Sequence, residues 1–320
     1  MKNSASKLPE GSQELARRVR ALTVPFYTER MDTTFIIRSI RNDAGSASMS
    51  DFGAHLITWA PTGQPNVVWQ PKAIYLNPAR AIRGGVPIIF PWFSKGYENG
   101  HTAAKTPKHG PARTTPWHRD DSVPSDSGVR YTLNSSDLAA ETLAQLNSGD
   151  QPNFHAVFEV TVGGQLDMAL TVVNDGEETL TYENALHTYF HVGNVEQVRL
   201  QGLAGAHYLD NAQPGLPECV QADEPVTFAG ETVDRIYYAT NALRLEDPQL
   251  HRTIVITPSG NAQTVVWNPG AVAGDALGDV EAGEWRDFVC VEAASCRDRS
   301  VVLQPGESHT LRQTIAVEQL

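Results

Sequence analysis

The chain has 320 residues, 41% of them hydrophobic, and a formal net charge of -12 at pH 7. This acidic balance argues against general nucleic-acid binding and against adhesion to anionic membranes, because both depend on an excess of positive charge. An anionic small molecule remains compatible with the chain, since a few arginines in one cleft can determine the local charge.

Cysteine usage and hydropathy indicate a soluble, cytoplasmic protein. Cys219, Cys290 and Cys296 are odd in number and show no metal-site spacing, which favours a reducing compartment. Residues 1–10 hold no apolar signal-peptide core. No apolar run approaches the roughly 20 residues that span a bilayer. We expect a small-molecule partner and no nucleic-acid or membrane partner. We also expect a monomer, although no pattern in the sequence specifies the oligomeric state.

The N-terminal residues 1–30 differ in pattern from the rest of the chain and are predicted to be an extension. Leucine and valine recur at helical spacing within Ser12–Leu22, which could form one short helix. Residues 31–320 are predicted to be a single domain, because no linker or internal repeat interrupts them.

Short alternating or β-branched segments, separated by turns such as Asn174-Asp175-Gly176, dominate this domain. The predicted strands are Phe35–Arg38, Ser46–Ser50, Ala54–Thr58, Pro65–Trp69, His155–Val162, Gln165–Val173, Thr179–Tyr182, Val198–Gly202, Thr253–Thr257, Gln263–Trp267, Asp287–Ala293 and Ser308–Val317. A helical turn is predicted within Ala139–Leu146. Many short strands with few helices are typical of an all-β sandwich or barrel.

Two short loops present basic side chains on rigid backbone. Arg83 stands near the start of Ile82–Phe93, which contains paired glycines and two prolines, and a Gly-Pro turn separates His109 from Arg113. A guanidinium fixed in this way suits bidentate binding of phosphate or carboxylate. A local ion pair of Arg83 and a solvated basic loop around Arg113 are equally compatible with the spacing.

One histidine, His187, lies inside the apolar and aromatic run Glu183–His191. Packing could hold its imidazole neutral, or shift its pKa, so that it moves protons near neutral pH. The alternative is a core histidine with a satisfied hydrogen bond. Taken alone, the stretch favours that alternative, because most histidines are not catalytic.

Four further side chains stand near predicted strand ends. Asp210 and Asp234 could accept hydrogen bonds from sugar hydroxyls, although an ordinary loop carboxylate and a surface ion pair explain them more simply. Trp267 could offer a face to a pyranose ring or belong to the core. Glu292 ends an apolar strand, where desolvation would raise its pKa and make it a better base, unless it stands in solvent.

Taken in order, these stretches resemble the hexose-6-phosphate mutarotase (glucose-6-phosphate 1-epimerase) family, a branch of the aldose 1-epimerase superfamily. The motifs that carry the resemblance are the Arg83 loop with Pro91-Trp92-Phe93, His109-Gly110 to Arg113, Leu186–Phe190, Asp234–Tyr237, Trp267-Asn268-Pro269, Cys290-Val291-Glu292 and the early Gly53–Leu56 with Trp59. The resemblance runs from about Phe35 to the C-terminus. It implies a large antiparallel β-sandwich of the galactose mutarotase type, a supersandwich, with the site in a cleft on one sheet.

The resemblance also implies roles for individual residues. His187 matches the family's general acid and Glu292 its general base. The positions that match the lining of the sugar-phosphate site are Arg83, His109, Arg113 and Asp234, with Asp210 as a weaker candidate. Pro111 departs from the pattern, because a larger apolar residue is usual there, and this puts the shape of the His109–Arg113 loop in question.

The resulting hypothesis is an isomerase that interconverts the α and β anomers of an aldohexose 6-phosphate. Glu292 would take the proton of the C1 hydroxyl, and His187 would protonate the ring oxygen. The hypothesis needs no metal and no redox cofactor. A carbohydrate-binding module without turnover and a mutarotase for neutral aldoses are the alternatives. A catalytic pair should face each other across a sugar-sized gap.

Overall fold

Antiparallel strands form most of the regular structure in the computed structural model, which describes residues 35–146 and 152–320. In chain order the strands are β1 (Ile37–Arg41), β2 (Gly45–Ser50), β3 (His55–Pro61), β4 (Ile88–Ile89), β5 (Tyr97–Glu98), β6 (His101–Thr102), β7 (His118–Arg119), β8 (Gly128–Asn134), β9 (Phe154–Val162), β10 (Leu166–Asn174), β11 (Leu180–Tyr182), β12 (Asn184–Leu186), β13 (Tyr189–His191), β14 (Arg199–Gln201), β15 (His207–Asp210), β16 (Glu218–Val220), β17 (Val233–Tyr237), β18 (Leu243–Asp247), β19 (Arg252–Ser259), β20 (Gln263–Asn268), β21 (Phe288–Ser295), β22 (Val301–Leu303) and β23 (Ser308–Gln319). Two short helices also lie in the described residues, α1 (Ala140–Leu143) and α2 (Gly270–Asp275).

Sheet I contains eight strands in the order β14-β18-β19-β23-β10-β9-β8-β7. Its long strands alternate buried and more exposed residues, as in β9, where Phe154, Ala156 and Phe158 are buried and the residues between them are not. Successive side chains of a strand point to opposite faces. One face of sheet I therefore packs against the protein core, and the other face is directed towards solvent.

Sheet II has the order β16-β15-β17-β20-β21-β12-β4, and β13 also pairs with β21. All eight residues of β21 are buried. Both faces of this strand are covered, and this is why its sequence around Glu292 is continuously apolar rather than alternating. Smaller sheets formed by β1-β2-β3, β5-β6 and β11-β22 complete the described part of the fold.

The main core lies between the two large sheets. Val266 and Val291 of sheet II belong to the same buried cluster as Leu170 and Leu311 of sheet I. Gln313 on β23 crosses this core with two polar contacts. Its Oε1 accepts from Thr188 Oγ1 at 2.5 Å and its Nε2 donates to the Val291 carbonyl at 3.1 Å. Thr188 is thereby fixed directly beside His187.

The all-β prediction is confirmed, and most predicted strands agree with the structure to within a few residues. The strand predicted at Pro65–Trp69 is wrong: only an isolated bridge from Val68 to Phe190 forms there. Proline cannot donate a ladder hydrogen bond, and this limits pairing at the start of the segment. The strands absent from the predicted set are β4 to β8, β12, β13, β15 to β18 and β22.

Residues Thr34–Leu320 form one compact unit. The helical turn predicted within Ala139–Leu146 is confirmed as α1. The predicted extension and its helix at Ser12–Leu22 lie outside the described residues. In the part of the chain that the structure describes, no helix is both long and apolar enough to cross a membrane.

Candidate active site

The register of sheet II brings several predicted residues to one face. Asp234 on β17 pairs with Trp267 on β20, Trp267 pairs with Cys290 on β21, and Cys290 pairs with Tyr189 on β13. Directly paired residues share a face, and side chains two residues apart on a strand do as well. Glu292, two residues beyond Cys290, therefore lies on this face, opposite the main core.

His187 lies in the link between β12 and β13 and contacts Glu292 on the neighbouring strand. The distance from His187 Nδ1 to Glu292 Oε1 is 3.4 Å. The imidazole stacks on the Tyr189 ring at 4.9 Å and 7°, and it meets Trp267 edge-on at 5.9 Å. Tyr189 and Trp267 thus hold the plane of the imidazole from two sides.

Both members of the pair are buried, with 8% of His187 and 1% of Glu292 exposed. Neither His187 Nδ1 nor Glu292 Oε2 has a hydrogen-bond partner among the described residues. A core histidine with a satisfied hydrogen bond therefore does not describe His187. The sugar-sized gap predicted between the two groups is also wrong, since they meet directly. A sugar that contacts both must lie over the pair rather than between them.

Burial shifts the two pKa values in opposite directions. It lowers the pKa of His187 well below its usual range, and the charges of Arg113 and Arg83 add to the shift. It raises the pKa of Glu292 well above its usual range, and Asp234 adds to that shift. Each shift disfavours the charged form of its group. Both shifts favour the uncharged form of the pair, in which the carboxyl holds the proton beside a neutral imidazole.

Cationic side chains line the same face. Arg83 Nε donates to the Asp279 carboxylate at 3.2 Å, and its Nη1 donates to the Tyr189 hydroxyl at 3.1 Å. Arg113 Nη2 donates to the Lys108 carbonyl at 2.7 Å. Within residues 35–146 and 152–320, Arg113 forms no ion pair. The local excess of positive charge suits an anionic group on the ligand.

Burial lowers the pKa of Arg113 to about 10, with a further contribution from Arg83. Partial desolvation likewise lowers the pKa of Lys108, and the nearby Asp234 carboxylate opposes that shift. Arg83, Lys108 and Arg113 therefore lie close enough for the positive charge of each to be disfavoured by the other two. An anion bound among them would relieve this repulsion.

The His109 loop closes the site on another side. His109 has a left-handed backbone with φ of 68°, and its Nδ1 accepts a hydrogen bond from the Ser94 amide at 3.1 Å. Its ring meets Phe93 edge-on at 5.0 Å and lies 5.9 Å from the His187 ring. Burial lowers the pKa of His109 well below its usual range, and the positive charge of Arg113 lowers it further. His109 is therefore a neutral neighbour of the pair.

The two aspartates predicted as ligands for sugar hydroxyls lie in different settings. Asp234 is half-buried and accepts from Asn211 Nδ2 at 2.6 Å, and Asn211 in turn accepts from Arg297 at 3.1 Å. Asp210 pairs in register with Arg235, the neighbour of Asp234, and so belongs to the opposite face. Its carboxylate caps the turn through the Ala212 amide. The structure does not bring Asp210 to the His187 face.

Residues not predicted at this site include Lys108, Tyr189, Asn211 and Asp279. Tyr189 carried a usable signal, since it stands two residues after His187 at the start of a strand. Asn211 and Asp279 lie in loops, where no periodicity shows the direction of a side chain.

Comparison with known proteins identifies the family of this chain. Residues 37–316 match the aldose 1-epimerase family. The chain belongs to the aldose 1-epimerase family. A provisionally named glucose-6-phosphate 1-epimerase of Salmonella typhimurium is 32% identical over 276 residues, which cover 85% of this chain and 86% of the relative. A protein of the same provisional name from Escherichia coli is 31% identical over 274 residues, with coverage of 85% and 86%.

A solved structure shows the same fold. The crystal structure of a provisionally named mutarotase from Salmonella typhimurium matches with a TM-score of 0.77 and 27% sequence identity. The match covers 96% of this chain and 100% of that chain. The supersandwich architecture implied by the family resemblance is therefore confirmed for this aldose 1-epimerase family member.

Gly110 fixes the His109 loop of this epimerase-family chain, and its replacement should disrupt the site. Its φ is +72°, and a Cβ there would lie 2.1 Å from the Phe90 carbonyl oxygen. We expect Gly110→Ala to reduce the free energy of unfolding by about 2–4 kcal/mol, combining backbone strain with overpacking. Chemical denaturation measures this. Gly100→Ala is the matched control, because Gly100 also has positive φ but nothing lies within 4 Å of its Cβ position. Equal losses in the two variants would contradict the steric explanation.

His55 on β3 should make the fold sensitive to acid. Burial lowers its pKa from 6.5 to about 3, and neither ring nitrogen has a hydrogen-bond partner in the described residues. Its contribution to stability is present above the unfolded-state pKa and is lost as the pH falls towards 3. Between pH 6.5 and 5 we expect wild type to lose about 2 kcal/mol more stability than His55→Leu. Unfolding curves at both pH values test this, with exposed His101→Leu as the control. Identical pH dependence in wild type and His55→Leu would refute the prediction.

Proposed function

We propose that this protein interconverts the α and β anomers of an aldohexose 6-phosphate, with glucose 6-phosphate as the preferred substrate. The observation that carries the proposal is the buried contact of His187 with Glu292 at 3.4 Å, beside the guanidinium groups of Arg83 and Arg113, in a chain of net charge -12. The provisional names of two relatives at 31–32% identity support the same substrate. A binding module without turnover would give no reason for the His187–Glu292 contact.

The proposed reaction needs one proton on the pair. A proton that passes from Glu292 to His187, over the 3.4 Å between them, converts the neutral pair into carboxylate and imidazolium. Glu292 then takes the proton of the C1 hydroxyl while His187 protonates the ring oxygen, and the C1–O5 bond breaks. Rotation about the C1–C2 bond of the open aldehyde, followed by closure on the other face, reverses both transfers.

The remaining side chains supply binding and orientation. Arg83 and Arg113 would bind the phosphate, with Lys108 beside them. A hydrogen bond to a charged group contributes about 1.5–3 kcal/mol, so two guanidinium groups can favour a phosphorylated sugar by a factor of about 10² to 10⁴. Asp234 would accept from sugar hydroxyls, and the half-buried Trp267 would pack on the pyranose ring.

Anomer exchange followed by NMR tests the proposal. Freshly dissolved α-glucose 6-phosphate is mixed with catalytic amounts of the protein, and the C1 signals of both anomers are followed. The expected result is a faster approach to the anomer equilibrium, in proportion to protein concentration. An unchanged rate, with folded protein, would overturn the proposed function.

A further inference from the structure

Tyr189 contacts two parts of the candidate site at once. Its ring stacks on the His187 imidazole at 4.9 Å with an angle of 7°. Its hydroxyl accepts from Arg83 Nη1 at 3.1 Å. Only 3% of Tyr189 is exposed, and Trp69 and Phe288 pack against its ring. One rigid side chain thus joins the histidine of the proton-holding pair to a guanidinium of the cationic cluster.

Each contact of Tyr189 restricts the movement of a different side chain. The parallel ring restricts rotation of the imidazole, whose Nδ1 lies 3.4 Å from Glu292 Oε1. The hydroxyl restricts Arg83 from one side, while Asp279 holds it from the other. A misplaced catalytic group or binding group loses much of its effect, because catalysis depends on orientation.

We propose that Tyr189 is a positioning residue that orients His187 with its ring and Arg83 with its hydroxyl. The inference rests on the proposed function for the roles of these two partners. The two contacts have different predicted effects. The ring contact with His187 affects the rate of turnover, and the hydroxyl contact with Arg83 affects binding of the phosphate.

Tyr189→Phe keeps the ring and removes the hydroxyl. We expect the KM for glucose 6-phosphate to rise about three- to tenfold, because Arg83 loses one partner and keeps Asp279. The kcat should stay within about twofold of wild type, since the stack on His187 remains. Rates on glucose should not change, because glucose has no phosphate.

Tyr189→Leu removes the stack as well. We expect kcat to fall by about tenfold or more on both substrates. Water should also reach the imidazole, so the pKa of His187 should rise from its lowered value towards the usual range. NMR titration of the histidine ring nitrogens measures that shift, and the titration in Tyr189→Phe should resemble wild type.

Tyr237→Phe is the matched control. Tyr237 is also buried, and its hydroxyl also accepts from an arginine, Arg235 Nη1, at 3.3 Å. Its pairing with Thr264 and Tyr208 places it away from the His187 face. We expect a change in thermal stability with an unchanged KM and kcat.

Two measurements decide the inference even without turnover. Binding of inorganic phosphate, measured by calorimetry, should weaken in Tyr189→Phe, and the His187 titration should move in Tyr189→Leu alone. Failure of the wild type to act on glucose 6-phosphate would overturn the proposed function, and these two measurements would still decide the role of Tyr189. If Tyr189→Phe binds phosphate as wild type does, or Tyr189→Leu leaves the titration of His187 unchanged, the inference is wrong.

Discussion

Replacing Glu292 by glutamine is expected to lower kcat for anomer exchange by about 10²- to 10⁴-fold, the usual contribution of one general acid–base group. Glutamine has almost the same shape, so the packing of β21 should survive, but it cannot take a proton from the C1 hydroxyl. His187→Ala should cause a loss of similar size. Saturation-transfer NMR between the two anomers of glucose 6-phosphate measures these rates.

Glu284→Gln controls for the loss of a buried carboxylate. Glu284 is 1% exposed and accepts from the backbone amides of Lys72 and Glu281. Its replacement should lower stability and leave kcat close to wild type. Because His187 and Glu292 act as one unit, the double variant should be little slower than either single variant. A folded Glu292→Gln protein with full activity would remove Glu292 from the mechanism.

Replacing Arg113 by methionine is expected to raise the KM for glucose 6-phosphate by about 10-fold to 100-fold, as for a lost charged hydrogen bond. Activity on glucose should change little, because the neutral sugar does not use this cation. Arg113 also lowers the pKa of His187. Its removal should therefore shift the pKa of His187 upward, and the pH profile of kcat/KM with it. Initial rates on both sugars across a range of pH measure these effects.

Arg130→Met is the control for loss of an arginine. Arg130 is exposed and pairs with Glu159 at 2.6 Å on sheet I. This variant should behave as wild type on both sugars. If Arg113→Met weakens activity on glucose and on glucose 6-phosphate to the same extent, Arg113 does not select the phosphate.

Several features of the site followed from the sequence because local patterns encode them. The apolar run around Glu292 predicted a strand, and a strand buried on both faces explains why its glutamate is desolvated. The paired glycines after Arg83 predicted a tightly turned loop, and both have positive φ. Family resemblance, rather than spacing, supplied the partnership of His187 and Glu292, since their contact joins a strand to a link that is distant in the sequence.

Other features of the site depend on contacts between residues that are distant in the sequence, which local sequence patterns do not predict. Arg83 meets Asp279 across 196 positions of the chain, and Asp279 lies in a loop. Asp210 pairs with Arg235, and neighbouring residues of a strand point to opposite faces of the sheet. The side chain of Asp210 therefore lies on the face opposite to Asp234. Strands β15 and β17 are not neighbours in the sequence, so the register of their pairing could not be predicted from local patterns. The monomeric state and the cytoplasmic location remain predictions.

The ratio of kcat/KM for glucose 6-phosphate to kcat/KM for glucose tests the central claim most directly. Both are measured on the wild-type protein by anomer exchange NMR in the same buffer. Two phosphate-binding guanidinium groups predict a ratio of about 10² or more in favour of the phosphorylated sugar. A ratio near one, or a preference for glucose, would contradict the account and identify a mutarotase for neutral aldoses instead.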